Sequence, residues 1–252
     1  MNLFLVEKIQ EFYELSSCHP RFEAVSRLKE SSICVGVVNG PRGVGRISRE
    51  GDGHLKIDSI RWEEESFSAP SIELVVGLPR PAEVRRIVLQ AVTMGLRALT
   101  FVTLDRTPSG YSESRALEPD SLERLVLEAM EQGFHTAKPE IRMVDGLDSI
   151  LERGQAGDAP FILDPYLGNH LLGEEIDRPP ENWRIILGSE RGFSPREQQQ
   201  ILSSQAHTCH LGPSILRTET AVVSALTLAQ RRIGYSAGSE RAIIQLNEAG
   251  SC

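Results

Sequence analysis

Two short segments in the second half of the chain bring together glycines, a carboxylate and an arginine, the residue types a small-molecule site would use. The first is Gly188-Ser189-Glu190-Arg191-Gly192-Phe193-Ser194, and the second is Leu211-Gly212-Pro213-Ser214-Ile215-Leu216-Arg217-Thr218-Glu219-Thr220. Each follows an apolar run of strand character, residues 183–187 and 207–211, and each leads into a helical pattern. A Gly-x-x-x-Gly turn lets a ligand approach the main chain closely, because two positions lack a Cβ. The helix that follows presents unpaired N–H groups. In an open parallel sheet, ligands sit in the crevice beyond the carboxyl ends of the strands, so two such turns are expected to line one pocket. By residue type alone, Arg217 can also be a structural ion-pair partner of Glu219 or Glu190, and Thr218 and Thr220 can be helix caps. Dinucleotide and triphosphate sites are disfavoured: neither Gly-x-Gly-x-x-Gly in a first β-α-β unit nor Gly-x-x-x-x-Gly-Lys-Ser/Thr occurs.

The elements that must position these loops alternate. Ile72 to Leu78 reads as a strand, and a helix follows from about Pro81 with Val84, Ile87, Val88, Ala91 and Val92 on one stripe and Gly95 as its stop. Ala98 to Leu104 is the next strand. Asp120-Ser121-Leu122-Glu123 has capping-box spacing, with Asp120 as the expected cap of a helix that Gly133 ends. Residues 141–144 and 161–164 are short strands. Ser194-Pro195-Arg196-Glu197 is a stronger helix start, and a last helix runs from Thr218 to Arg232. Strands alternating with helices mean an α/β fold with a mostly parallel sheet covered on both faces. The preceding region is different: residues 33–38 and 44–48 flank an Asn39–Gly43 turn, and His54 to Trp62 alternates with Leu55 and Ile57 on one face. Residues 63–70 read as a charged linker, which divides the chain into a β-rich domain at 1–68 and an α/β domain at 69–252.

The chain has 252 residues, 40% of them hydrophobic and 25% charged, the composition of an ordinary globular protein. No apolar run approaches the ~20 residues that cross a bilayer, and the start has no signal-peptide pattern, so a cytoplasmic location is expected. Cys18, Cys34, Cys209 and Cys252 are scattered and lack metal-ligand spacing, which predicts free thiols and no metal. A net charge of −8 argues against sequence-blind nucleic-acid binding over the whole surface. Any nucleic-acid footprint must be a local cationic patch.

On its two loops the chain resembles the SPOUT class of RNA methyltransferases, the knotted group that uses S-adenosylmethionine. More closely it resembles the 16S ribosomal RNA uridine-N3 methyltransferase family. Residues 211–221 match that family's Leu-Gly-x-x-Ile-Leu-Arg-Thr-Glu-Thr-Ala motif throughout, and residues 188–194 match its Gly-Pro-Glu-Gly-Gly-Phe-Ser motif with Ser189 and Arg191 substituted. Val25-Ser26-Arg27-Leu28-Lys29 is similar to a stretch in the family's PUA-like RNA-binding barrel, and Leu78-Pro79-Arg80 to its Leu-Pro-Lys. Asn2 stands where an Arg is usual, and Gly133-Phe134-His135 where Ser-Gly-Arg is frequent.

The resemblance implies a small PUA-like β-barrel before a SPOUT sheet with a C-terminal trefoil knot, a homodimer, and an S-adenosylmethionine site at Leu187, Gly188, Glu190, Gly192, Leu211, Gly212, Ile215, Leu216 and Thr218. It implies transfer to N3 of a uridine in ribosomal RNA. Arg217 is then the catalytic cation that steadies the uracil anion, since its permanent charge and planar fork suit an imide edge. Glu190 is the candidate proton acceptor, or else the group that holds Arg217. Arg27, Lys29, Arg42, Arg46 and Arg49 would contact phosphates. Two alternatives stay open: a ribose 2′-O-methyltransferase, suggested by Ser189-Glu190-Arg191, and a SPOUT-derived RNA-binding protein without turnover, suggested by the acidic charge.

Overall fold

The computed structural model describes residues 3–28, 31–50, 53–66, 68–151, 160–174, 180 and 182–234. The chain divides into two compact units. The first holds the residues up to Ser68 together with Met130–Lys138, and the second holds Ala69–Ala129 and the described residues from Pro139 onward.

The first unit contains β1 (Phe4–Val6), β2 (Tyr13–Ser16), α1 (Phe22–Ser26), β3 (Ser32–Val37), β4 (Pro41–Arg49) and β5 (His54–Ser66). Its five-stranded sheet runs β1-β3-β4-β5-β2, with β1 parallel to β3 and the other pairs antiparallel. The alternation in β5 sorts its side chains: Leu55 and Ile57 enter the core with Val35 and Ile47, while Lys56 and Asp58 lie on the other side of the pleat. Residues 63–66, read as linker, instead continue β5, because β4 lies alongside and pairs as far as Pro41 with Ser66. A partner strand supplies hydrogen bonds that charged composition alone does not reveal. The same pairing corrects the reading of Arg42. It is 7% exposed, its Nε donates to Glu63 Oε2 at 3.2 Å, and its guanidinium lies 5.1 Å from the centre of the Phe134 ring. That cation is engaged inside the unit rather than offered to a phosphate.

The second unit is built on a seven-stranded, all-parallel sheet in the order β10-β12-β9-β11-β6-β7-β8. In chain order its elements are β6 (Ile72–Gly77), α2 (Pro81–Met94), β7 (Ala98–Thr103), α3 (Pro119–Gly133, of which the residues from Met130 count with the first unit), β8 (Glu140–Asp145), α4 (Asp148–Leu151), β9 (Phe161–Leu163), β10 (His170–Leu171), β11 (Trp183–Leu187), α5 (Pro195–Ser203), β12 (His207–His210) and α6 (Thr218–Arg232). The apolar stripes fall where their period puts them: Val84, Ile87, Val88 and Ala91 of α2 and Val222, Ala225, Leu226 and Ala229 of α6 are buried. The two helices pack together, and Gln230 Nε2 donates to the carbonyls of Met94 (2.6 Å) and Gly95 (3.1 Å) at the end of α2. Asp120 is not the cap of α3, because the helix already starts at Pro119, whose fixed φ suits a first helical position; Asp120 lies in the first turn. On β6, Glu73 is buried but takes hydrogen bonds from Arg142 (3.2 Å), Arg184 (3.1 Å) and Thr100 (3.3 Å), so its charge is compensated.

Candidate active site

Strand register brings the two loops together. Leu187 at the end of β11 and Cys209 near the end of β12 both pair with Leu163, the last residue of β9. The loops that leave these three strands therefore emerge side by side at the carboxyl end of the sheet. On the other side of β11 lies β6, where a Cβ on Gly77 would come within 2.4 Å of the Ser189 nitrogen. Only a glycine allows the start of the 188–194 loop to lie against β6.

The 188–194 loop is held at both ends. Gly192 N–H donates to the Ser189 carbonyl at 2.8 Å, and Gly192 has φ +66, a conformation most residues avoid. Phe193 is 1% exposed and anchors the loop in the core. The full capping box forms: Ser194 Oγ accepts from Glu197 N–H (3.1 Å), and Glu197 Oε2 accepts from Ser194 N–H (2.7 Å). The fully buried Glu197 also accepts the Asp105 N–H at 2.8 Å, which ties the loop to the end of β7. Asp105 in turn accepts from Arg196 (2.6 and 3.0 Å) and Ser194 Oγ (2.6 Å). The Arg196 hydrogen bonds, then that of Ser194, lower the Asp105 carboxyl from 3.8 to about 2.

The second loop turns at Gly212, whose φ is +109 and whose N–H donates to His210 Nδ1 at 3.0 Å. It ends at Arg217, which has extended backbone and is the N-cap residue of α6, with no side-chain cap. Thr218 is thus the first helical residue and not a cap, and Thr220 lies within the first turn. The Arg217 side chain is exposed and forms no ion pair among the described residues. Glu190 does not hold it. Glu190 Oε1 instead accepts from Arg80 Nε at 3.0 Å and from Arg80 N–H at 3.4 Å, joining the loop to the β6–α2 turn.

A third wall comes from the turn after β9. Asp164, 4% exposed, accepts the N–H groups of Tyr166 (2.8 Å) and Leu167 (2.9 Å) on Oδ1 and so holds Tyr166 at the surface. Together the walls enclose a cleft of about 590 Å³. Every residue expected at the cofactor site (Leu187, Gly188, Glu190, Gly192, Leu211, Gly212, Ile215, Leu216 and Thr218) lines this one cleft, and so does Arg217. Sequence reading missed Arg80, Arg106, Asp164 and Tyr166, which line it too. The signal for Asp164 and Tyr166 was present: residues 161–163 are a parallel strand, and the loop after such a strand belongs to the crevice. The basic residues proposed for RNA belong to the first unit. Arg27 is exposed and paired with Glu23, Arg46 is exposed on β4, and Arg49 donates to the Leu28 carbonyl at 2.9 Å. Lys29 lies outside the described residues.

Comparison with known proteins gives the chain a family. Residues 67–230 match the RNA methyltransferase domain model. The ribosomal RNA small subunit methyltransferase E of Mesomycoplasma hyopneumoniae is 30% identical over 242 residues, which cover 90% of this chain and 97% of that protein. The protein of the same name from Treponema pallidum is 25% identical over 239 residues, covering 89% of each. Among solved structures, the Neisseria gonorrhoeae ribosomal RNA small subunit methyltransferase E, bound to S-adenosyl methionine, superposes with a TM-score of 0.75 at 21% identity, over 92% of this chain and 97% of that one. A probable rRNA-methyltransferase from Porphyromonas gingivalis gives 0.72 at 19% identity, over 93% and 100%. The chain belongs to the RNA methyltransferase domain family, in the branch that carries the name ribosomal RNA small subunit methyltransferase E.

Proposed function

We propose that this chain transfers a methyl group from S-adenosyl-L-methionine to N3 of a uridine in small-subunit ribosomal RNA. The observation that carries the reading is the meeting, in one cleft, of the intact 211–221 motif and the 188–194 loop. The cleft suits the cofactor. Its volume of about 590 Å³ lies in the range of small-molecule sites. Leu163, Leu187 and Leu216 offer apolar walls to a purine, and at Gly192 and Gly212 no atom lies within 4 Å of where a Cβ would stand, so the main chain is open to a ligand. When bound, the cofactor supplies an electrophilic methyl on a sulfonium. The protein's part is to hold the two reacting atoms in line and to favour the deprotonated imide. Arg217 stabilises that anion. It is exposed at the cleft, it is not neutralised by a carboxylate among the described residues, and it stands at the positive end of α6. Glu190 keeps the loop in place through Arg80, with proton acceptance as its second candidate role.

The same reading extends to the fold. In this reading the C-terminal segment forms a trefoil knot, on a sheet in which β11 lies between β9 and β6 and β12 on the far side of β9. The first unit acts as a PUA-like RNA-binding module through exposed residues such as Arg27 and Arg46, and the protein works as a homodimer. The test is to incubate the protein with small subunits, with free 16S ribosomal RNA and with labelled cofactor, then digest the RNA. Label on uridine N3 is expected. Label on a ribose 2′-oxygen would replace this reading with the one that Ser189-Glu190-Arg191 suggests.

A further inference from the structure

The cleft holds groups that a cofactor does not need. Tyr166 is 77% exposed, yet its backbone is fixed by the buried Asp164 carboxylate, with Gly168 N–H closing the turn on the Asp164 carbonyl at 3.0 Å. A large ring held out at the mouth of a cleft by a rigid turn is prepared to receive something flat. Arg191, one residue beyond Glu190, is also exposed on the cleft wall and has no ion pair among the described residues. Its carbonyl accepts from Arg106 Nη1 at 2.8 Å, which sets the loop and adds a second cation beside it. The carboxylates nearby are largely occupied: Glu190 by Arg80, Glu83 by Arg86 at 3.2 Å, and Asp164 by its own turn, which leaves Glu219. Four arginines and four carboxylates line the cleft, so the pull on a phosphate comes from Arg191 and Arg217, which are exposed and have no ion pair among the described residues.

We infer that the rim of the cleft is a nucleotide seat, in which the Tyr166 ring stacks on the extruded target base and Arg191 binds an adjoining phosphate of single-stranded RNA. The inference rests on the methyl-transfer reading and adds to it the side of the cleft from which the RNA enters. Uracil in a stacked helix cannot expose N3 to a donor, so the base must leave its stack and needs a surface to replace what it lost. A tyrosine face is such a surface, and an arginine beside it supplies the charge.

The test uses the full chain, deproteinised 16S ribosomal RNA at several salt concentrations, and calorimetry with S-adenosylmethionine as the control. Tyr166→Ala is expected to weaken RNA binding about 5- to 150-fold, the span of one lost aromatic–base stack, while Tyr166→Phe retains it. Arg191→Ala is expected to lower the slope of log K against log salt by about 0.7, the loss of one phosphate contact on a single strand. Cofactor affinity stays at the wild-type level in all three. The inference is overturned if RNA affinity and salt slope do not change, if cofactor affinity falls in parallel, or if Tyr166→Ala alters the oligomeric state while RNA binding persists. Wild-type protein that shows this binding pattern but methylates no RNA would remove the methyl-transfer reading and leave the seat. Wild-type methylation with unaffected variants would do the reverse.

Discussion

Arg217 reaches its place through backbone geometry. As the N-cap residue of α6 it is extended, so its side chain leaves the helix start at the cleft instead of lying along the helix. Removing the guanidinium should therefore spare cofactor binding and cost chemistry. Arg217→Ala is expected to keep its calorimetric affinity for S-adenosylmethionine while single-turnover transfer falls by roughly 10²- to 10³-fold, the usual cost of one preorganised electrostatic group. Arg217→Lys should recover only part, since an ammonium does not match a planar imide edge. Transfer near the wild-type rate in Arg217→Ala would remove the arginine from the mechanism. Asp105 gives a second expectation. Its folded carboxyl is lowered to about 2 from 3.8, chiefly by Arg196, so the stability it contributes is complete above pH ~4 and is lost as pH falls towards 2. Thermal melts across that window should show a smaller acid destabilisation in Asp105→Asn than in the wild type.

Among the elements, α5 shows how a short local pattern can carry over into the site. Ser194 caps the helix and at the same time donates to Asp105, so the 188–194 loop and the end of β7 share one hydroxyl. Ser194→Ala is expected to cost about 1–2 kcal/mol, and a drop of several degrees in the melting midpoint would register it. Gly212, at φ +109, tests the second loop: Gly212→Ala should strain the turn by about 1–3 kcal/mol and weaken cofactor binding more than it lowers the melting midpoint. Unchanged affinity would mean that the loop does not hold the cofactor. The caps and stripes of α2, α5 and α6 were legible because each is decided within a few residues. The start of α3 and the length of β5 were not, because Pro119 precedes the apparent cap and β4 supplies the pairing.

For the whole molecule, the sign of the charge matters most. A chain of net charge −8 that acts on RNA must bind it through restricted cationic ground, so salt should weaken RNA binding with a shallow slope, set by a few contacts and not by the whole surface. The proposed homodimer makes a separate expectation: sedimentation equilibrium should return twice the chain mass at micromolar concentration. A monomer that still methylates RNA would show that one chain completes the site. No helix among the described residues is long and apolar enough to cross a membrane.

By itself the sequence determined the turns of two loops and the helices that follow them. Gly192, Ser194, Gly212 and Arg217 act through their own backbone and their near neighbours, which a linear reading can see. Tertiary structure alone decided what surrounds them. Arg80 meets Glu190 across 110 residues and Arg106 meets the Arg191 carbonyl across 85, and neither pair leaves a trace in local spacing. Arg42 shows the reverse case, a residue that reads as surface charge and is buried between Glu63 and Phe134. The physical reason is common to all three. Strand pairing sets which residues and strand ends lie side by side, and that register is the outcome of burying a whole sheet at once.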